Sequence, residues 1–198
     1  MKIKQNLKIF QENPILFYSV FYDDEKEFLK KLYLFSSLIN ISNQKGETPL
    51  HYAVYYGKIE KYYMLINFGA SIQKTFDGNS LLHYASFSGK DDFLCLDLIH
   101  TGLNPLEKNN LQQTPIHLSS NQKLSHYFNM WLQRNNTHIS EILDIDLNNV
   151  LHSSKIYNHL ESFHYWLKEY PFLLEKRNFF LKKPNEMKKK YLKFCQFN

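Results

Sequence analysis

One phrase occurs three times in this 198-residue chain: GETPLHYAVYYGK from Gly46, GNSLLHYASFSGK from Gly78 and QQTPIHLSSNQK from Gln112. Its histidines, His51, His83 and His117, lie 32 and 34 residues apart. Self-similarity at such a period marks stacked supersecondary units, none of which can bury its apolar face without a neighbour. No other feature narrows the fold so far, because each copy must make the same local structure and lean on the next.

Weaker copies extend the series. NPILFYSVF places Pro14 at the position of Pro49, NNVLHSSKIYNH places Val150-Leu151-His152 over Pro49-Leu50-His51, and KKPNEM opens a last copy at Pro184. The equivalents Pro14, Pro49, Leu81, Pro115, Val150 and Pro184 follow one another at steps of 35, 32, 34, 35 and 34. Proline suits the first helical turn, whose N–H has no partner in any case, and Thr48, Ser80 or Thr114 just before it can cap that helix. A second apolar-periodic run follows each phrase: IEKYYMLINF, DDFLCLDLIH, LSHYFNMWLQ and LESFHYWLKEY. Asp23-Asp24-Glu25 and Asp91-Asp92 put negative charge where these second helices begin, and Gly69 and Gly102 stand where left-handed caps would end them. Two local departures are expected: Gln112 replaces the glycine of the loop turn, and the Asp91 helix runs one residue longer than its neighbour.

Gly46, Thr48, Pro49, Leu50, His51, Ala53 and Gly57, followed by LINFGAS, resemble the ankyrin repeat, whose hallmark is Gly, one residue, Thr-Pro-Leu-His, then a small residue and a closing Gly. The resemblance implies an all-α ankyrin-repeat solenoid of about five to six helix-turn-helix units with atypical terminal caps. The expected arrangement is a single domain over 1–198, with units at about 10–42, 43–74, 75–108, 109–144 and 145–178 and a basic C-terminal cap at 179–198. Tyr18 at the small-residue position and the lysine-rich end mark the two outer units as caps.

Sixteen Phe and fourteen Tyr against six Gly and six Pro exclude a disordered or fibrous chain. The N-terminal apolar run is broken by Gln11, Glu12, Asn13 and Pro14 before it reaches signal-peptide length, and no stretch approaches the roughly 18 apolar residues of a membrane span. Two cysteines, Cys95 and Cys195, a hundred residues apart, form neither a disulfide framework nor a metal-ligand spacing. These features predict a cytoplasmic protein in a reducing compartment.

The chain contains tempting chemistry. His51, His83, His117 and His152 recur in register, yet stacked helices sit roughly 8–10 Å apart and a shared zinc needs each nitrogen within about 2.1 Å. The expected role is instead a buried imidazole bonded to the local Thr or Ser and to a loop carbonyl, as the resemblance also implies. Cys95 sits in an apolar run and reads as core. Ser119-Ser120 and Ser153-Ser154 occupy small-residue positions. No phosphate loop, zinc-protease motif or calcium loop is present. The expectation is no catalytic residue, no cofactor and no metal.

In ankyrin units the two residues before the glycine that ends the first helix face the concave surface, together with the loop before Thr-Pro-Leu-His. Transferred to this chain, those pairs are Val20-Phe21, Tyr55-Tyr56, Phe87-Ser88, Asn121-Gln122 and Ile156-Tyr157, with Phe76 at a loop tip. Exposed aromatic rings are preferred anchors of protein interfaces. The expected partner-binding residues are therefore Phe21, Tyr55, Tyr56, Phe76, Phe87, Gln122, Ile156 and Tyr157, on a chain that is monomeric when unbound. The competing reading packs these rings against flanking loops.

Net charge is +5, and the segment from Lys168 to Asn198 alone holds nine basic residues against three acidic ones. Lys182, Lys183, Lys188, Lys189, Lys190 and Lys193 form a basic patch, readable as a solvated face or as an attractor of nucleic acid or anionic membrane. Cys195 is fourth from the end, the position of a prenylated cysteine, though Gln196 and Asn198 depart from that motif. The function expected is a non-catalytic interaction scaffold that binds a partner protein. By analogy with ankyrin proteins of intracellular bacteria and large viruses, it would be an effector translocated without a Sec signal to engage host proteins. Alternatives are a housekeeping adaptor, an electrostatic binder acting through the basic tail, and an enzyme whose site the concave face would assemble.

Overall fold

The computed structural model describes residues 15–188. Pro14, Lys189, Lys190, Lys193 and Cys195, all named above, lie outside them. The described residues are helical without a strand, an all-α repeat solenoid, and they cluster into two compact bodies, one within 15–77 and one within 78–188.

The N-terminal body is two helical hairpins: α1 (Ile15–Tyr22) with α2 (Glu25–Leu34), and α3 (Pro49–Tyr55) with α4 (Ile59–Asn67). Like stacks on like, α1 beside α3 and α2 beside α4. Asp24 begins α2 by accepting the Glu27 N–H at 2.8 Å. At the end of α4 the Gly69 N–H reaches the Ile66 carbonyl and the Ala70 N–H the Leu65 carbonyl, both at 2.9 Å, with Gly69 at φ +89°. This is the paired C-terminal cap that a left-handed residue allows. Leu16, Val20, Phe28, Leu32, Leu50, Ala53 and Leu65 are buried between the hairpins.

Helix α1 ends differently. Buried Lys61 of α4 extends its ammonium to three carbonyls at that end, Ser19 at 2.9 Å, Val20 at 2.8 Å and Asp23 at 2.6 Å. A cation there satisfies orphaned carbonyls and suits the negative end of the helix dipole. Burial lowers the Lys61 pKa, partly opposed by the Asp23 carboxylate.

The C-terminal body holds α5 (Leu81–Ser88), α6 (Asp92–His100), α7 (Gln122–Arg134), α8 (Val150–Tyr157) and α9 (Leu160–Glu169). Helix α6 is not longer than its counterpart: both α4 and α6 have nine residues, because Asp91 caps α6 through the Leu94 N–H rather than joining it. The fourth repeat departs most. Its first helix shrinks to a single 3-10 turn, Pro115–Leu118, which packs between α5 and α8. Ser119 is extended and the Asn121 side chain accepts the Leu124 N–H at 2.8 Å, so the second helix starts early and runs thirteen residues. Asparagine offered a capping site where the phrase elsewhere continues its helix. A final 3-10 turn, Pro184–Glu186, packs on α8.

The loops before the repeats share a device the phrase did not reveal. Asn43, Asn109, Asp144 and Asn178 each use one side-chain oxygen to accept the N–H groups two and four residues on, at 2.9–3.0 Å. The third residue after each, Gly46, Gln112, Leu147 and Leu181, has positive φ. Gln112 therefore takes the left-handed conformation itself, at φ +57°, where glycine was expected.

Candidate functional site

The frame under the candidate surface is the histidine series. In His51, His83, His117 and His152 the ring Nδ1 accepts the N–H of the residue three before it, at 3.1, 3.2, 3.1 and 3.3 Å. A backbone N–H can only donate, so the imidazole proton sits on Nε2. In the C-terminal body that proton is donated to the next loop: His83 to the Gln113 carbonyl at 3.0 Å, His117 to Asn148 at 3.2 Å and His152 to Lys182 at 2.9 Å. Beside His51 stands the Gln73 backbone. Burial drives the pKa of His51 and of His117 down to about 4, against the pull of nearby Glu47 and Asp144 respectively. These rings are neutral staples that orient each first helix.

On the N-terminal body the helix exits gather aromatic rings. Phe21, in the last turn of α1, lies 4.2 Å from Tyr56 by ring centroids, and Tyr56 lies 4.9 Å from Tyr55 at 82°. Beneath them Tyr52 is buried, edge-on to Phe17 at 5.0 Å and to Phe21 at 6.0 Å. Tyr55 and Tyr56 are adjacent in sequence and both half-buried, since Tyr55 ends α3 and Tyr56 caps it. Next to them Tyr18 and Tyr22 stack at 4.4 Å, both exposed. Phe76 is exposed at its loop tip, where its N–H reaches the Lys45 carbonyl at 2.9 Å.

On the C-terminal body the loss of a helical turn from the fourth repeat changes the pattern. Phe87 of the third repeat meets Tyr157 of the fifth directly, 5.8 Å between rings, with His159 at 5.1 Å from Phe87. The Tyr157 hydroxyl accepts from Gln113 Nε2 at 2.6 Å, and burial pushes its pKa up to about 12. Two expectations need correction here. Ile156 is only 4% exposed, because its side of α8 faces the core, so it offers a partner nothing in this conformation. Gln122 is exposed, but it begins α7 instead of ending the preceding helix.

Gln122 borders an open cleft of about 660 Å³ at the start of α6, α7 and α9. Asp92 there holds Lys123 at 3.2 Å and Asn121 at 3.1 Å, while His126 Nδ1 faces the Tyr165 hydroxyl at 3.3 Å. Ser119, Ser125 and Ser162 form a buried hydroxyl cluster at 2.7–3.1 Å that also receives Trp166 Nε1 at 3.3 Å. The four residues are essentially closed to solvent, so the cluster is internal bonding for the shortened repeat. Cys95 is buried and its thiol is pushed up to about 12, as befits a core residue.

Of the basic patch, Lys182 and Lys188 are exposed, and Lys183 pairs with Glu175 at 2.5 Å. Sequence reasoning missed the buried floor of Phe17 and Tyr52 and the contribution of His159. Only the recurrence of an aromatic residue just before the small-residue position, as in Tyr52 and Tyr84, hinted at that floor.

A comparison with curated proteins finds no match for the chain. The family model described as ankyrin repeats (3 copies) matches residues 16–104, and such repeats generally mediate protein–protein interaction. That match covers the first three repeats, and the same cap-to-histidine-to-loop bonding continues through His117 and His152. Over residues 16–104 the chain is built of ankyrin repeats.

Proposed function

We propose that the chain is a non-catalytic adaptor whose part-open aromatic rings anchor a partner protein: Phe21, Tyr55 and Tyr56 on one body, Phe87 and Tyr157 on the other. The observation that carries this reading is the Phe21–Tyr56–Tyr55 cluster. Three rings in successive edge contact rest on a buried floor and stay partly open to water. Rings held this way lose little conformational freedom on docking, which favours Tyr and Trp as anchors. Phe76 and Gln122 supply flanking contacts. The partner is a protein, and an effector acting on host proteins is the setting that the sequence analogy suggests.

The test is a pull-down from source and candidate host lysates with wild type, Tyr55→Ala/Tyr56→Ala and Phe87→Ala, each checked by thermal melting. Truncating a true anchor costs upwards of about 2 kcal/mol, or about thirtyfold in affinity. A folded double variant that retrieves the same partners as wild type, at the same yield, removes the aromatic cluster from the interface.

A further inference from the structure

We infer that the loop tips of the C-terminal body form a docking ridge for anionic phospholipid bilayers. Successive tips become more apolar along the chain: Asn110-Leu111-Gln112, then Ile145-Asp146-Leu147, then Phe179-Phe180-Leu181. The tips lie side by side, since the Ile145 N–H reaches the Leu111 carbonyl at 3.0 Å and the Phe179 N–H reaches the Asp146 carbonyl at 2.8 Å. Six apolar side chains on them face water: Leu111, Ile145, Leu147, Phe179, Phe180 and Leu181, the last three 67, 59 and 71% exposed. The positive φ of Leu181, at +58°, completes the turn that presents three consecutive apolar residues outward. The two phenyl rings meet edge to face, 5.5 Å apart at 89°, so they form a blunt wedge.

Charge selects the occupant. Between 175 and 188 the flanks of this wedge carry Lys176, Arg177, Lys182, Lys183 and Lys188 against Glu175 and Glu186. The two acids are engaged: Glu175 with the Lys183 ammonium at 2.5 Å and Glu186 with the Lys183 N–H at 2.9 Å. Asp146, within the row, is the remaining carboxylate. A convex apolar tip ringed by cations suits the interfacial zone of a bilayer, where rings enter the headgroup boundary and lysines meet anionic lipid. A nucleic acid would use the cations and leave the phenyl rings without a role, unless bases stacked on them.

The experiment is co-sedimentation of the full chain with phosphatidylcholine vesicles, with and without phosphatidylserine at about one third of the lipid. Binding should require the anionic lipid and weaken with salt. Lys182→Gln should reduce it about fivefold, the effect of one surface charge, and Phe179→Ser/Phe180→Ser should abolish it. Both substitutions fall on exposed side chains, and Trp fluorescence of the buried Trp166 verifies the fold. A Phe180→Trp variant should show an emission blue shift, relative to wild type, on anionic vesicles. Wild type that ignores anionic vesicles, a serine variant that still binds, an emission from the Phe180→Trp variant that does not shift, or equal capture of single-stranded RNA by wild type and serine variant would each overturn the assignment. Tyr55→Ala/Tyr56→Ala should leave vesicle binding unchanged, which separates this ridge from the aromatic cluster.

Discussion

Lowering the pH from 7.5 to 5.0 should loosen the C-terminal body through His117. Its ring is fully buried, its Nδ1 accepts the Thr114 N–H and its Nε2 donates to the Asn148 carbonyl, so a second proton on Nδ1 would oppose the Thr114 N–H and have only the Thr114 hydroxyl, at 2.9 Å, to accept it. Burial holds the folded pKa at about 4, below the roughly 6.5 of a free imidazole. Between those values the unfolded chain binds more protons than the folded one. The stabilisation is complete above the unfolded pKa and is lost as pH falls through it, levelling off below the folded pKa. At pH 5 the unfolded ring is almost wholly protonated and the folded one scarcely so, a difference of about 2 kcal/mol. His152 and His159, also lowered by burial, act in the same direction. Trp131 and Trp166 both lie in this body, so Trp fluorescence in urea reports on it selectively. With a slope of about 2 kcal/mol per molar, His117 alone should move the midpoint by about 1 M. A His117→Gln variant, whose amide can both accept from the cap and donate onward, should lose that share of the shift. An identical midpoint at both pH values, or a Gln variant with the full wild-type shift, would refute the neutral-staple account.

Lys61→Met keeps the buried stem but strips three carbonyls of their donor, and should cost about 2–3 kcal/mol, measured as urea unfolding of the N-terminal body by circular dichroism. Gly46→Ala and Gly69→Ala should differ although both glycines have positive φ. An added Cβ at Gly46 would stand 2.8 Å from the Phe76 nitrogen, whereas nothing lies within 4 Å at Gly69. Gly69→Ala should cost about 1–2 kcal/mol of backbone strain, and Gly46→Ala clearly more by the same assay; equal losses would contradict the crowding seen at the loop.

The repeat period, the caps at Thr48, Ser80 and Thr114 and the role of the histidines were all legible in the chain, because each is set by residues within one repeat. Phe21, Tyr55 and Tyr56 were legible as candidates for the same reason. Ile156 was not, since whether a residue at a helix exit faces water depends on the rotation of α8 against its neighbours. The fourth repeat misled through Asn121: a helix boundary there is a competition between continuing α-helical bonding and an asparagine cap, and a motif alignment does not weigh that competition. Lys61 carries no signal at all, because its partners lie some forty residues away in α1.

What the sequence alone determined is the short-range grammar: where helices begin, how each is capped, and that units must stack to bury their apolar sides. Tertiary structure decided which rings stay open, how Phe87 reaches Tyr157 across a shortened repeat, and that apolar tips line up beside one another. These depend on distances between residues far apart in the chain, and such distances are set only when whole hairpins pack together.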